Sequence, residues 1–188
     1  MKVESIVLGS IGTNCYIVTN EETKECFAVD MAECPQEYVN YIKNNGLEMK
    51  ALFLTHGHFD HIMGIDDFLK AFPVPVYAGE DELPVIEDDR LNVSSMYGPK
   101  YAFHGAQPVR DGQVIECAGI EVDVLQTPGH TVGGCCYYLP KEHRLFSGDT
   151  LFCASIGRTD LPTGSSSQLV RSVQEKIMTL PDDTKIYP

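Results

Sequence analysis

Three observations predict an α+β fold in which two β-sheets pack face to face with helices outside. Short apolar, β-branched segments separated by turn residues dominate each half of the chain. Segments with one apolar face at helical spacing lie between them. The 188 residues, 43% of them hydrophobic, are enough to bury one sizeable core. A core of two sheets enclosed by helices fits this count of elements.

Val3–Leu8, Asn14–Thr19 and Cys26–Val29 read as strands, separated by Gly12-Thr13-Asn14 and Glu21-Glu22. A helix is expected from Pro35 to Asn45, with Pro35 in its first turn and Gly46 as C-cap. Ala51–Thr55 is an apolar strand. His61–Phe72 reads as one helix with Ile62, Ile65, Phe68, Leu69 and Phe72 on one face. Pro75–Tyr77 is a short strand, Glu80–Asp89 is expected to be helical, and residues 90–112 to be irregular. Val114–Cys117, Ile120–Gln126, Gly134–Leu139 and Arg144–Phe146 are strands, with turn signals at Asp111-Gly112 and Ala118-Gly119. Ser165–Leu180 reads as a helix with Ser165, Ser166 or Ser167 as N-cap, and Lys185–Tyr187 as a last strand. No repeat or long linker divides the chain, so one domain over 1–188 is expected.

The formal net charge of −13 argues against nucleic acid and anionic membrane surfaces as partners. The acidic runs Glu21-Glu22, Glu80-Asp81-Glu82 and Glu87-Asp88-Asp89 read as solvated surface. No apolar stretch reaches the roughly 18 residues a membrane span needs. The N-terminal MKVESIVLGSIGTN reads as a strand and not a signal peptide. The seven cysteines are odd in number and form no CxxC pair. They are expected to pack as buried thiols in a reducing cytosol, with a cysteine nucleophile as the alternative.

LFLTHGHFDHIMG, residues 52–64, holds three of the six histidines and an aspartate directly after an apolar strand. Imidazole and carboxylate are the usual zinc ligands besides cysteine. On an extended segment His56 and His58 point the same way and Asp60 continues that parity, so the three converge. His61 breaks the alternation and falls where the next helix starts, facing a second ion beside the first. Two ions about 3.5–4 Å apart suit a hydrolytic transition state. Further ligands are expected from His130 in LQTPGHTVGG and Asp149 in LFSGDT, both at strand ends. His104 and His143 have no such context and read as surface residues.

THGHFDH, then PGHT, then FSGD resembles the metallo-β-lactamase superfamily over nearly the whole chain. That resemblance implies a four-layer αββα sandwich with two metals at the rim between the sheets. GTNCYIV and LFCASIGRTDLPTGSSSQLVRSVQEKI are similar to the glyoxalase II-like branch. The resemblance implies that His56, His58 and His130 bind the first metal, that Asp60 and His61 bind the second, and that Asp149 bridges. It implies metal-activated hydrolysis of a small-molecule thioester of the S-lactoylglutathione kind, with Asp60 as proton acceptor. The metals would be zinc, or iron or manganese. Arg158 and Asp160 either pair to fix their loop, the reading favoured here, or touch substrate. The branch also has a C-terminal helical region that helps hold glutathione, and a Gly-His-Gly turn after the last strand. The sequence stops at KIYP, so a truncated end or an incomplete second site is expected. The rival reading is a persulfide dioxygenase with one iron on two histidines and an aspartate. A lactonase or β-lactamase is a further alternative, and a non-catalytic metal-binding domain another. The expected compartment is the cytoplasm.

Overall fold

The computed structural model describes all residues 1–188. The first sheet has six strands in sequential spatial order: β1 (Lys2–Leu8), β2 (Thr13–Thr19), β3 (Glu25–Val29), β4 (Glu48–Phe53), β5 (Val76–Gly79) and β6 (Gln107–Val109). β1 to β3 pair antiparallel, and β3 to β6 pair parallel. The second sheet uses β7 (Val114–Cys117), β8 (Ile120–Gln126), β9 (Cys135–Leu139), β10 (Arg144–Phe146) and β13 (Lys185–Tyr187), ordered β13-β10-β9-β8-β7. Its pairs are antiparallel except β10 with β13. β11 (Leu151–Phe152) and β12 (Ser155–Ile156) form a separate hairpin. The helices are α1 (Gln36–Asn44), α2 (Phe59–Ile62), α3 (Ile65–Ala71), α4 (Leu83–Ile86), α5 (Ser94–Tyr97) and α6 (Ser166–Ser172), the last extended by a π-helical turn over Val173–Ile177.

Residue alternation along the strands builds four layers. On β2, Tyr16 and Val18 point to the second sheet, while Cys15 and Ile17 point to the helices. On β3, Phe27 and Val29 face inward, Cys26 and Ala28 outward. The outward set packs against Tyr38, Val39 and Ile42 of α1 and Ile65 and Phe68 of α3. On β9, Cys135, Tyr137 and Leu139 enter the inter-sheet core, and Cys136 and Tyr138 meet Ile177. Central strands buried on both faces lose the apolar–polar alternation of a half-exposed strand, so they read as near-continuous apolar runs. The expected αββα sandwich is thereby observed.

Four local expectations are corrected. The single helix over His61–Phe72 is two helices. Met31 N–H donates to the His61 carbonyl at 2.8 Å and its carbonyl accepts from Gly64 N–H at 2.9 Å, so the loop after β3 takes the bonds that would continue α2. Residues 90–112 are not all irregular, since they contain α5 and β6. Pro108 hides β6 from a sequence reading, and its place on the sheet edge is where proline is tolerated. Glu80–Asp89 is helical only as a 3₁₀ turn over Glu80–Glu82 followed by α4, and the Asp88 side chain then closes a turn by accepting from Arg90 N–H at 2.9 Å. The run Glu80-Asp81-Glu82 is not all solvated, because Glu82 is 0% exposed.

Phe53, fully buried, sits at the centre of the inter-sheet core. Its ring lies 5.2 Å from those of Phe27 and Tyr77 and 5.0 Å from that of Tyr137. Phe53→Ala should lower the unfolding free energy by about 3–5 kcal/mol, read from the urea midpoint. A loss below about 1 kcal/mol would show that this ring does not carry the sheet-to-sheet packing.

Candidate metal centre

The site forms where both sheets present the C-terminal ends of strands on one edge. After β4, residues 54–58 cross the seam between the sheets. Leu54 N–H donates to the Tyr77 carbonyl, and the Thr55 carbonyl accepts from Cys135 N–H, each at 2.8 Å. The Tyr137 hydroxyl donates to the Leu54 carbonyl, also at 2.8 Å. These bonds fix His56 and His58 at the rim. His130 comes from the turn after β8, closed by Thr127 N–H donating to the Gly134 carbonyl at 2.8 Å. Asp149 follows β10 after Gly148. Gly148 has φ +45°, and a Cβ there would stand 2.3 Å from Thr55 Oγ1, so only glycine lets the chain bring Asp149 against the histidine loop.

The expected residues come together. His56, His58 and His130 offer ligand atoms that all lie within 4.8 Å of one another, and so do His56, His61 and Asp149. His130 Nε2 lies 2.9 Å from His58 Nδ1 and 3.2 Å from His56 Nε2. Asp149 stands between the two groups, with Oδ2 3.4 Å from His130 Nε2 and Oδ1 3.4 Å from His61 Nε2. Asp60 falls outside both triples, with Oδ2 3.6 Å from His61 Nε2 and accepting from the Thr13 hydroxyl at 3.0 Å. The parity argument for Asp60 is corrected: the extended backbone ends at His58, and Asp60 projects from the first turn of α2. His104 and His143 are surface residues, close to Glu87 and Asp183 respectively.

The rings are anchored from outside. His130 Nδ1 donates to the Arg158 carbonyl at 2.7 Å, and His61 Nδ1 pairs with Asp30 Oδ2 at 2.8 Å. His56 Nδ1 contacts Thr55 Oγ1 at 3.2 Å. On His56 and His130 such outer bonds set the tautomer and turn Nε2 inward as a lone pair. Burial lowers the pKa of His56 strongly and that of His58 to about 3, and the neighbouring imidazoles push the same way. Burial also lowers His130, against the pull of Asp149. Burial opposes charge on His61, but Asp30 and Asp149 outweigh it and raise its pKa well above the ordinary value. Burial opposes the Asp149 charge too, yet His61 and the other histidines hold its carboxyl at about 2. With their Nδ1 atoms engaged outward, the Nε2 atoms of His56 and His130 face one another as lone pairs 3.2 Å apart, and His58 Nε2 is buried with no hydrogen-bond partner, while burial disfavours protonating these rings. The donor set therefore fits a divalent cation.

Sequence reasoning missed Asp30. Its carboxylate is 1% exposed and accepts from Thr55 N–H at 2.8 Å, from the Thr55 hydroxyl at 2.7 Å and from His61 Nδ1. The available signal was an acidic residue ending the apolar run Cys26–Val29. Arg158 and Asp160 form a bidentate pair at 2.7 and 2.8 Å, both well exposed. That pairing is the loop-fixing arrangement, although Arg158 also lines the cleft beside the histidines. The cleft is ≈ 240 Å³ and is walled by Ile11, Phe59, Val93, Tyr97 and Leu161. Val93, left-handed at φ 57°, starts α5 and brings Tyr97 flat onto Phe59, with ring centroids 5.4 Å apart. Five cysteines are buried, Cys34 is half-buried and Cys153 alone is exposed. Burial pushes the Cys15 and Cys26 thiols up to about 12, which suits packing and not nucleophilic attack.

Asp30→Asn replaces one of two acceptor oxygens by a donor that faces a donor. Stability of the metal-free protein should fall by about 1–3 kcal/mol, measured by urea unfolding. An unchanged midpoint would mean that these bonds do not hold the loop.

Residues 8–188 match the profile of the metallo-beta-lactamase superfamily. A protein of Bacillus subtilis described as a probable metallo-hydrolase is 34% identical over 188 residues, covering 99% of this chain and 88% of that protein. The crystal structure of the BLEG-1 B3 metallo-beta-lactamase superposes with a TM-score of 0.92 at 36% identity, over 98% of this chain and 90% of that one. TTHA1623 in a di-iron-bound form superposes with a TM-score of 0.85 at 30% identity, with the same coverage of 98% and 90%. Profile, relative and solved structures agree on the fold, and the chain belongs to the metallo-beta-lactamase superfamily.

Proposed function

We propose that the protein is a metal-dependent hydrolase of small thioesters. The observation that carries the reading is the convergence of His56, His58, His130, His61 and Asp149, with Asp60 beside them, at the base of an apolar-walled cleft. His56, His58 and His130 would hold one divalent cation, and His61, Asp60 and Asp149 a second, with Asp149 reaching both. Cations held there would supply Lewis acidity, lowering the pKa of water and polarising the scissile carbonyl. Zinc suits the imidazole-rich set, while iron is supported by the di-iron relative.

Asp60, steadied by the Thr13 hydroxyl and facing the cleft, takes the proton of the attacking water. The carbon–sulfur bond then breaks and the proton passes to the departing thiolate. Ile11, Tyr97, Val93 and Leu161 supply an apolar wall for the group next to the carbonyl, and the stack of Tyr97 on Phe59 gives that wall a firm face. The GTNCYIV segment and the residues after Asp149 support the thioesterase reading over others in the superfamily. The likeness to BLEG-1 supports a second reading, β-lactam hydrolysis.

One experiment separates them: the purified protein is screened against thioesters, lactones and β-lactams, with bound metal measured on the same sample. Thioester turnover that disappears on chelation and returns with zinc or iron supports the proposal. Turnover of β-lactams alone overturns it in favour of the second reading. Oxygen consumption on a persulfide, with one iron per chain, overturns it in favour of a dioxygenase. Asp60→Ala should cost about 10²-fold or more in kcat, and near-wild-type turnover in the folded variant would remove Asp60 from the chemistry. Tyr97→Ala should raise KM for substrates with apolar acyl groups about 10-fold while leaving metal content unchanged, and an unchanged KM would place the acyl group elsewhere.

A further inference from the structure

Glu82 has no part in the chemistry above, yet it is buried directly beside the ligand loops. It closes the short 3₁₀ turn after β5 and is 0% exposed. Its two oxygens divide between two loops. Oε1 accepts from Gly57 N–H at 2.7 Å, and Oε2 accepts from Gly133 N–H at 2.8 Å. Gly57 is the residue between His56 and His58, and Gly133 lies three residues after His130. One carboxylate therefore joins the His56–His58 loop of the first sheet to the His130 turn of the second.

The surroundings are built to let this happen. A Cβ on Gly133 would stand 2.0 Å from Glu82 N, and a Cβ on Gly57 would stand 2.8 Å from the Ile86 side chain. Both loops thus lie against the 80–86 segment with no space for a side chain. No lysine, arginine or histidine pairs with Glu82 in any ion pair of the fold. Burying a carboxylate without a cation is costly, and an apolar residue would fill the space at less cost. The position uses what only a carboxyl group provides, which is two acceptor oxygens on one rigid group, one peptide away from the ligands.

We propose that Glu82 is the positioning residue of the metal centre: it locks the His56–His58 loop to the His130 turn and raises the affinity of those three histidines for a divalent cation. The inference rests on the metal-centre reading above. Glu82→Gln keeps shape and volume, but its amide accepts from only one of the two N–H groups and turns a donor towards the other. Orienting partners one bond removed from a metal ligand are commonly worth about 10–100-fold in affinity.

The test titrates metal-free wild type, Glu82→Gln and Glu82→Asp with cobalt(II) against a competing chelator. Affinity and the visible cobalt absorption are recorded, and circular dichroism checks that each variant is folded. Glu82→Gln should bind about 10–100-fold more weakly with an altered visible band, and Glu82→Asp, which keeps two acceptor oxygens, should recover part of the loss. A folded Glu82→Gln with wild-type affinity and an unchanged band overturns the proposal. Should the variants not fold, amide hydrogen exchange on the wild type decides: Gly57 and Gly133 must be protected with and without cobalt, and fast exchange at both overturns it. A wild type that binds no cobalt overturns the metal-centre reading itself, and the exchange data then still decide whether Glu82 joins the loops.

Discussion

The structure is organised around one electrostatic constraint: three buried imidazoles crowd around a fourth, that of His56. The ring centroids of His56 lie 4.8 Å from His58, 4.6 Å from His130 and 4.1 Å from His61. Burial makes the protonated forms of His56, His58 and His130 unfavourable, and the Nε2 atoms of His56 and His130, whose Nδ1 atoms are engaged outward, face one another as bare lone pairs 3.2 Å apart. Lone pairs at this spacing repel. A cluster of this kind would spread apart unless the backbone held it. The Asp30 bonds to Thr55, the Arg158 carbonyl on His130, the Gly148 turn against Thr55 and the Glu82 bridge all oppose that spreading.

This explains why the site sits at the seam of the sandwich. No single strand can present ligands to one point from opposite sides. The loop after β4 brings His56 and His58 from one sheet, while the turns after β8 and β10 bring His130 and Asp149 from the other. The sheets in turn are held by the aromatic set Phe27, Phe53, Tyr77 and Tyr137, and Tyr137 also reaches Leu54 with its hydroxyl. Core and site are therefore continuous through residues 53–58. Hydrophobic packing on one side of that segment offsets the unfavourable clustering of imidazoles on the other.

Much of this was legible in the sequence, for identifiable reasons. Central strands announce themselves by continuous apolar runs, and the motif histidines and Asp149 stand out because ligand-type residues gather at strand ends. Asp30 and Glu82 did not stand out because their roles depend on partners distant in sequence: Asp30 is 25 residues from Thr55, and Glu82 is 51 from Gly133. An acidic run shows its charges but not which of them turns inward. The break between α2 and α3 escaped because its cause is a backbone contact with Met31. The placement of Asp60 was right in neighbourhood but wrong in reasoning, since strand parity was extended through a point where the helix had already begun.

Substrate choice was the least legible feature, and the reason lies in which parts of the fold supply it. The ligands are set by strand ends and by bonds between buried groups, which tolerate little change in geometry. The cleft wall comes instead from Ile11 in the β1–β2 turn, Val93 and Tyr97 around α5, and Arg158 and Leu161 after β12. These are loop positions, free to vary in length and residue type without disturbing either sheet. Ile11 and Tyr97 are more than half exposed, so their identity costs the core nothing. A superfamily that shares one floor can therefore carry many walls, and a sequence reveals the floor by motif long before it reveals the wall. In this protein the wall is apolar, and its lone cation, Arg158, is engaged with Asp160. Recognition of a strongly anionic substrate would have to break that bidentate pair, whereas a neutral acyl group can use the cleft as it stands.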